Sequence, residues 1–198
     1  MIRTFIQRQE SNIAGLLRHG LLHALGALLP EHHDVDVTSL EVAATLMCLA
    51  SVLWHPEIDQ VLLQQDQTWL QQHQVLLQIW QWCENILQDV SSVQTSCTGL
   101  STSCVTEVMQ NILRIFGGMH SRVLPAEHAA AFMSRNQQIL IQFMDPASPL
   151  RGDACSVVLI SLRSMYSSHT RSPLLSACIY QVNKTISSLV RHTVRNTF

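Results

Sequence analysis

One periodicity narrows what this chain can fold into. Between Thr68 and Asp89, the residues Trp69, His73, Leu76, Leu77, Trp80, Cys83 and Leu87 recur at the three-and-four spacing of a single helical face. A strand would need alternation every second residue, so this stripe fits a helix. The same period returns at Val105, Val108, Met109, Ile112, Leu113 and Phe116, and again at Leu175, Cys178, Ile179, Val182, Ile186, Leu189, Val190 and Val194. No stretch alternates as a half-buried strand does, and the fold class read from the chain is all-α.

Helix breakers divide the pattern. Residues Ile13 to Leu29 are apolar nearly all round, with Gly15, Gly20 and Gly26 among the leucines. Each glycine costs an exposed helix about 1 kcal/mol, so their presence points to close helix–helix approach. Pro30 ends that helix and Glu31–Asp36 forms a loop. Thr38 and Glu41 then form a capping box for a helix that runs to Trp54, which His55-Pro56 terminates. A shorter helix covers Glu57–Gln65. Gly117-Gly118 reads as the stop of the helix that begins near Val105. Pro125 suits the first turn of another, running to Met144. A further helix spans about Asp153–Ser167, and the last opens at Ser172-Pro173. The expected total is about eight helices in four hairpin-like pairs.

Charge is scarce and unevenly placed. Charged residues make up 13% of the chain and hydrophobic residues 47%. So sparse a surface charge implies that part of the surface is covered by a protein partner or by more chain. With more chain, it would be a segment or isoform of a longer helical-repeat protein. Residues 1–99 carry a balance of −7 and residues 100–198 one of +5. Between the halves, Ser91–Cys104 has eight Ser/Thr in fourteen residues. The expected organisation is an acidic helical half over 1–90, a linker over 91–104 and a basic helical half over 105–198. The basic residues are scattered singly, without the clusters or interleaved aromatics of a nucleic-acid surface. A protein partner is the expected one, and a nucleic-acid or chromosome-associated module using the basic half is the alternative.

One stretch carries a motif. Over residues 141–162 an apolar helix ends in Asp145-Pro146, a short turn follows, and Leu150-Arg151 precede Ala154 in the next apolar helix. Pro146 prevents the first helix from continuing, and Asp145 can accept the amides of the turn. This resembles the junction between the two helices of a HEAT or armadillo repeat, with 126–168 as the matching unit. Gly152 and Pro149 depart from the usual pattern. The resemblance implies a right-handed stack of antiparallel helix pairs, an α-solenoid, in which Asp and Arg pair along the stack and the junction residues are structural. The charge-poor helical texture is also similar to that of the helical-repeat proteins of vertebrate meiosis and genome maintenance, the meiosis-inhibitor type among them.

Candidate chemistry is thin. His19 and His23 sit four apart, with His32, His33, Asp34 and Asp36 in the following loop. The glutamate of a zinc-protease helix is missing between the pair, so neither metal nor cofactor is expected. There is no nucleophile elbow. The carboxylate pairs Asp34/Asp36 and Glu57/Asp59 flank helix starts, where the dipole favours acids anyway. No catalytic residue is assigned. Six cysteines, without a CxxC pair or a secretory leader, point to a reducing compartment, cytoplasm or nucleus, and no window is long and apolar enough to span a membrane. Ser148-Pro149 and Ser172-Pro173 read as turn and capping chemistry, although either serine could accept phosphate. Of the tryptophans, Trp54, Trp69 and Trp80 are expected in the core. Trp82 lies about 200° around its helix from Trp80, which makes it, with Gln78 and Gln81, the expected partner-binding surface.

Overall fold

Apolar periodicity becomes helix wherever the chain is described. The computed structural model describes residues 13–30, 39–56, 58, 67–93, 102–122 and 124–167. Among them are eight helices and no strand. These are α1 (Ile13–Arg18), α2 (Leu21–Ala27), α3 (Leu40–Leu53), α4 (Gln67–Val93), α5 (Thr102–Arg122), α6 (Ala126–Arg135), α7 (Gln137–Phe143) and α8 (Arg151–Ser167). The chain forms two compact units, Met1–Gly118 and Met119–Phe198, and the division falls inside α5. The expected helix over Glu57–Gln65, apart from the buried Ile58, and the one from Ser172 to Val194 lie outside the described residues. No helix among the described residues is long and apolar enough to cross a membrane.

In the first unit α2 packs against α1, α3 and α4. The single helix expected over Ile13–Leu29 is instead broken at Gly20, which takes a left-handed φ of 88°. That conformation costs other residues about 1–2 kcal/mol, which is why a glycine can hold the break. Close approach is the role of Gly26 instead. A Cβ there would lie 3.3 Å from Val75 Cγ1 and 3.6 Å from Ile79 Cδ1 on α4. At the start of α3 the expected capping box is replaced. Ser39 holds the N-cap position, with φ −66° and ψ 126°, and makes no side-chain capping bond. Thr38 lies outside the described residues. The helix ends at Leu53, with Trp54 as its C-cap.

Most of the described stripe of α4 is buried as its spacing predicts, with His73 and Leu77 half-buried. Leu76, Trp80, Cys83 and Leu87 are joined in the core by Ile79, Ile86 and the carboxylate residue Glu84. Trp80 meets Phe116 of α5 edge-on, ring centroids 6.3 Å apart, a favoured aromatic geometry. Helix formation also consumes both ends of the Ser/Thr-rich stretch. α4 takes Ser91–Val93 and α5 takes Thr102–Cys104. The remainder, 94–101, lies outside the described residues.

Gly117-Gly118 does not stop α5, which continues to Arg122. A Cβ on Gly118 would come within 3.0 Å of Leu53 Cβ and 3.6 Å of the Leu53 carbonyl carbon. The glycine lets α5 approach the end of α3, and that contact outweighs its helix propensity.

In the second unit α8 packs against α6 and α7. The helix expected from Pro125 to Met144 is interrupted at Asn136, which is fully buried with φ −104° and ψ 13°. Its backbone N–H and its side-chain Nδ2 both donate to the Phe132 carbonyl, at 2.9 and 3.1 Å. The side chain thus shares a helical carbonyl with the backbone at the point where the helix breaks. The α7–α8 junction turns as its sequence suggests. Asp145 Oδ1 accepts the Ala147 N–H at 2.8 Å, and the Asp145 carbonyl accepts the Ser148 N–H at 2.9 Å. Leu150 and Ala154 are buried, as are Phe132, Phe143, Val157 and Val158, while Pro146 and Arg151 are exposed.

Candidate interaction surfaces

Trp82 is not the solvent-facing tryptophan that its angular position suggested. It is half-buried, and its Nε1–H donates to the carbonyl oxygen of Pro30 at 2.8 Å. That carbonyl lies three residues past the last residue of α2, so the indole fastens α4 to the segment that follows α2. A groove of about 210 Å³ lies along this contact, lined by His23, Gly26, Leu29, Val75, Gln78 and Trp82 among others. Gly26 lines it at the close α2–α4 crossing. Gln78 and Gln81 are exposed, and Gln81 Nε2 donates to Asn85 Oδ1 at 2.9 Å along the helix surface. The structure thus brings Trp82 and Gln78 to one groove and leaves Gln81 on the outer face.

Among the tryptophan side chains described, the one that does stand out is Trp54, 42% exposed. It completes a row on α3 and its C-cap: Leu40, Ala44, Met47, Ser51 and Trp54, spaced four, three, four and three. Leu40 is 79% exposed, Ala44 and Ser51 are exposed, and Met47 is half-buried. At 1.5 Å per residue the row is about 21 Å long. The opposite face, with Val42, Leu46, Leu49 and Leu53, forms the core. Hydrogen bonding makes the row more apolar than its composition. Ser51 Oγ donates back to the Met47 carbonyl at 2.8 Å, and Trp54 Nε1 donates to the Arg114 carbonyl at 2.9 Å. The single charge on α3, Glu41, sits in its first turn, where the helix dipole favours it. A helix apolar on every face is ordinarily surrounded by protein, yet this one presents its second apolar face to solvent.

The sequence does carry a signal for this surface. Leu40–Leu53 contains one charged residue in fourteen. That pattern says the helix is apolar all round, without saying which face its own unit covers, and Trp54 was therefore expected in the core.

A polar cluster lies inside the second unit. His120 Nδ1 and Ser161 Oγ share a hydrogen bond of 2.8 Å, and the imidazole packs edge-on against Phe132 at 5.0 Å. Burial, reinforced by the neighbouring His128, pushes the His120 pKa down to about 3. The distance suits a nucleophile and its base, but the two side chains are 1% and 0% exposed. Neutral, hydrogen-bonded and enclosed, the pair is part of the packing.

His19 and His23 are both exposed, and their possible loop partners at 32–36 lie outside the described residues. Among the described residues no three His, Cys, Asp or Glu side chains form a metal-sized group. Cys48 and Cys83 are buried, and burial raises both thiols away from the reactive thiolate. Cys97, Cys178 and the side chain of Trp69 lie outside the description. Compared with protein-family models, curated proteins and solved structures, the chain gives no match.

Proposed function

We propose that the chain is a non-enzymatic protein–protein interaction scaffold, part of a larger helical-repeat protein, that presents the outer face of α3 to a protein partner. The observation that carries this reading is the exposed row Leu40–Ala44–Met47–Ser51–Trp54. A row of this size with no charge inside it gains by being covered, at roughly 25 cal/mol per Å² of apolar surface removed from water. Tryptophan is among the side chains enriched at the energetic centres of interfaces. The α2–α4 groove, with Trp82 and Gln78, and the outer Gln81 form a second contact region in this proposal.

The solenoid reading is supported by the α7–α8 junction, where the Asp145 turn, the buried Leu150 and the buried Ala154 play the parts that a HEAT or armadillo junction assigns them. Work inside the cell is supported by the free thiols at Cys48, Cys83, Cys104 and Cys155. The test is affinity capture from native tissue with the unaltered chain and with a Leu40→Glu, Ala44→Glu double variant. Proteins retained by the first and lost from the second support the reading. Capture that instead disappears with added salt and returns on a phosphate matrix points to the basic half and nucleic acid.

A further inference from the structure

Two serines in the chain precede a proline, and their surroundings differ. Ser148-Pro149-Leu150-Arg151 has a basic side chain three positions after the serine, whereas Ser172-Pro173-Leu174-Leu175 does not. With 6 prolines and 12 Lys and Arg in 198 residues, a Ser/Thr-Pro-x-Lys/Arg quartet arises by chance in roughly one chain in seventeen. Proline after the acceptor brings no N–H into a kinase site that leaves such a donor unsatisfied, and a cation three residues on can meet an acidic or phosphorylated group of the kinase.

We propose that Ser148 is a phosphoacceptor for a proline-directed kinase of the class that also reads a basic residue three positions on, here Arg151. The acceptor lies in the α7–α8 turn, where Asp145, Pro146, Ala147, Pro149, Arg151 and Gly152 are all exposed. Ser148 Oγ accepts the Leu150 N–H at 3.2 Å, so its own hydrogen is not spent in that bond. In the transfer, Ser148 Oγ forms a bond to the γ-phosphorus of a nucleoside triphosphate. The bond from that phosphorus to the nucleoside diphosphate breaks, and the hydroxyl proton passes to the base of the kinase. The product carries about two negative charges, placed at the start of α8 and three residues from Arg151.

The structure also adds a gate. Leu150 is only 4% exposed, so a kinase that grips residues on both sides of Ser148 must meet the turn opened. Beside the burial of Leu150, the hydrogen bonds that close it run between neighbours: Asp145 Oδ1 to the Ala147 N–H, the Asp145 carbonyl to the Ser148 N–H, and the Ser148 carbonyl to the Arg151 N–H. Local opening suffices, without loss of the rest of the unit.

The test incubates the full chain with a cyclin-dependent kinase and ATP and reads initial rates and sites by mass spectrometry. Phosphate is expected on Ser148 well in excess of Ser172. Arg151→Gln should slow that modification several-fold, and Asp145→Ala, which removes one bond of the gate, should speed it. Phosphate shared equally between Ser148 and Ser172, or an unmodified Ser148 in both the parent chain and Asp145→Ala, would overturn the proposal.

Discussion

The indole of Trp82 and the carbonyl of Pro30, 52 positions apart in sequence, are joined by a hydrogen bond of 2.8 Å. This contact turns a residue that spacing alone assigns to an open surface into part of the α2–α4 packing. Two substitutions separate its hydrogen bond from its bulk. Trp82→Phe keeps a ring in the groove and should cost about 1 kcal/mol for the lost donor. Trp82→Ala also empties the groove wall and should cost roughly 2–3 kcal/mol. Denaturant midpoints measure both, and equal costs would show that the ring contributes no packing.

Three glycines should respond in different directions to alanine. Gly118→Ala places a Cβ 3.0 Å from Leu53 Cβ and should destabilise by about 1–3 kcal/mol, despite alanine's better helix propensity. Gly20→Ala must adopt a φ of 88° and should cost about 1–2 kcal/mol. Gly152→Ala meets nothing within 4 Å near the start of α8 and should stabilise by up to about 1 kcal/mol. Thermal melts of the three variants check the order.

Buried His120 makes stability depend on pH. Its folded-state pKa of about 3 lies below the ordinary 6.5. Between those values the unfolded chain binds a proton that the folded chain refuses, so the contribution to stability falls as pH drops through the window and levels off below it. Each unit of difference corresponds to about 1.4 kcal/mol. Carboxylates titrate in the same range, so the comparison is with His120→Gln, which keeps a hydrogen-bonding side chain beside Ser161. The variant should lose less stability than the parent chain between pH 6.5 and pH 4, read by denaturant titration at each pH.

The repeat-like junction should behave as structure. Leu150→Asp puts a carboxylate at a position 4% exposed and should destabilise the chain by several kcal/mol. An unchanged melting temperature would mean that the turn, and not the side chain, holds α7 to α8.

Much of the helix content is legible in the sequence because it rests on local periodicity: the α4 stripe, the α8 span and the Asp145 turn are all set by neighbours in the chain. Misreadings cluster where a tertiary contact decides. Gly118 looks like a stop signal until Leu53 is placed against it. Gly20 and Gly26 look alike, but one bends the backbone and the other admits Val75. Asn136 interrupts an apolar run where its buried side chain also bonds the Phe132 carbonyl. The tryptophans show the same limit at the candidate surface. Angular position on α4 made Trp82 the exposed one, and apolar surroundings on α3 made Trp54 a core residue. Which face of a helix its own unit covers is not a local property.

Hydroxyl-radical footprinting of the chain with and without its captured protein partner tests the account most directly, because Met47 and Trp54 are readily oxidised and both lie on the α3 row. Partner binding should lower oxidation of Met47 and Trp54 together, while the buried Met109 and Met133 stay unreactive in both states. Unchanged oxidation at both α3 residues in a fully formed complex would contradict the claim that this face is where the chain binds.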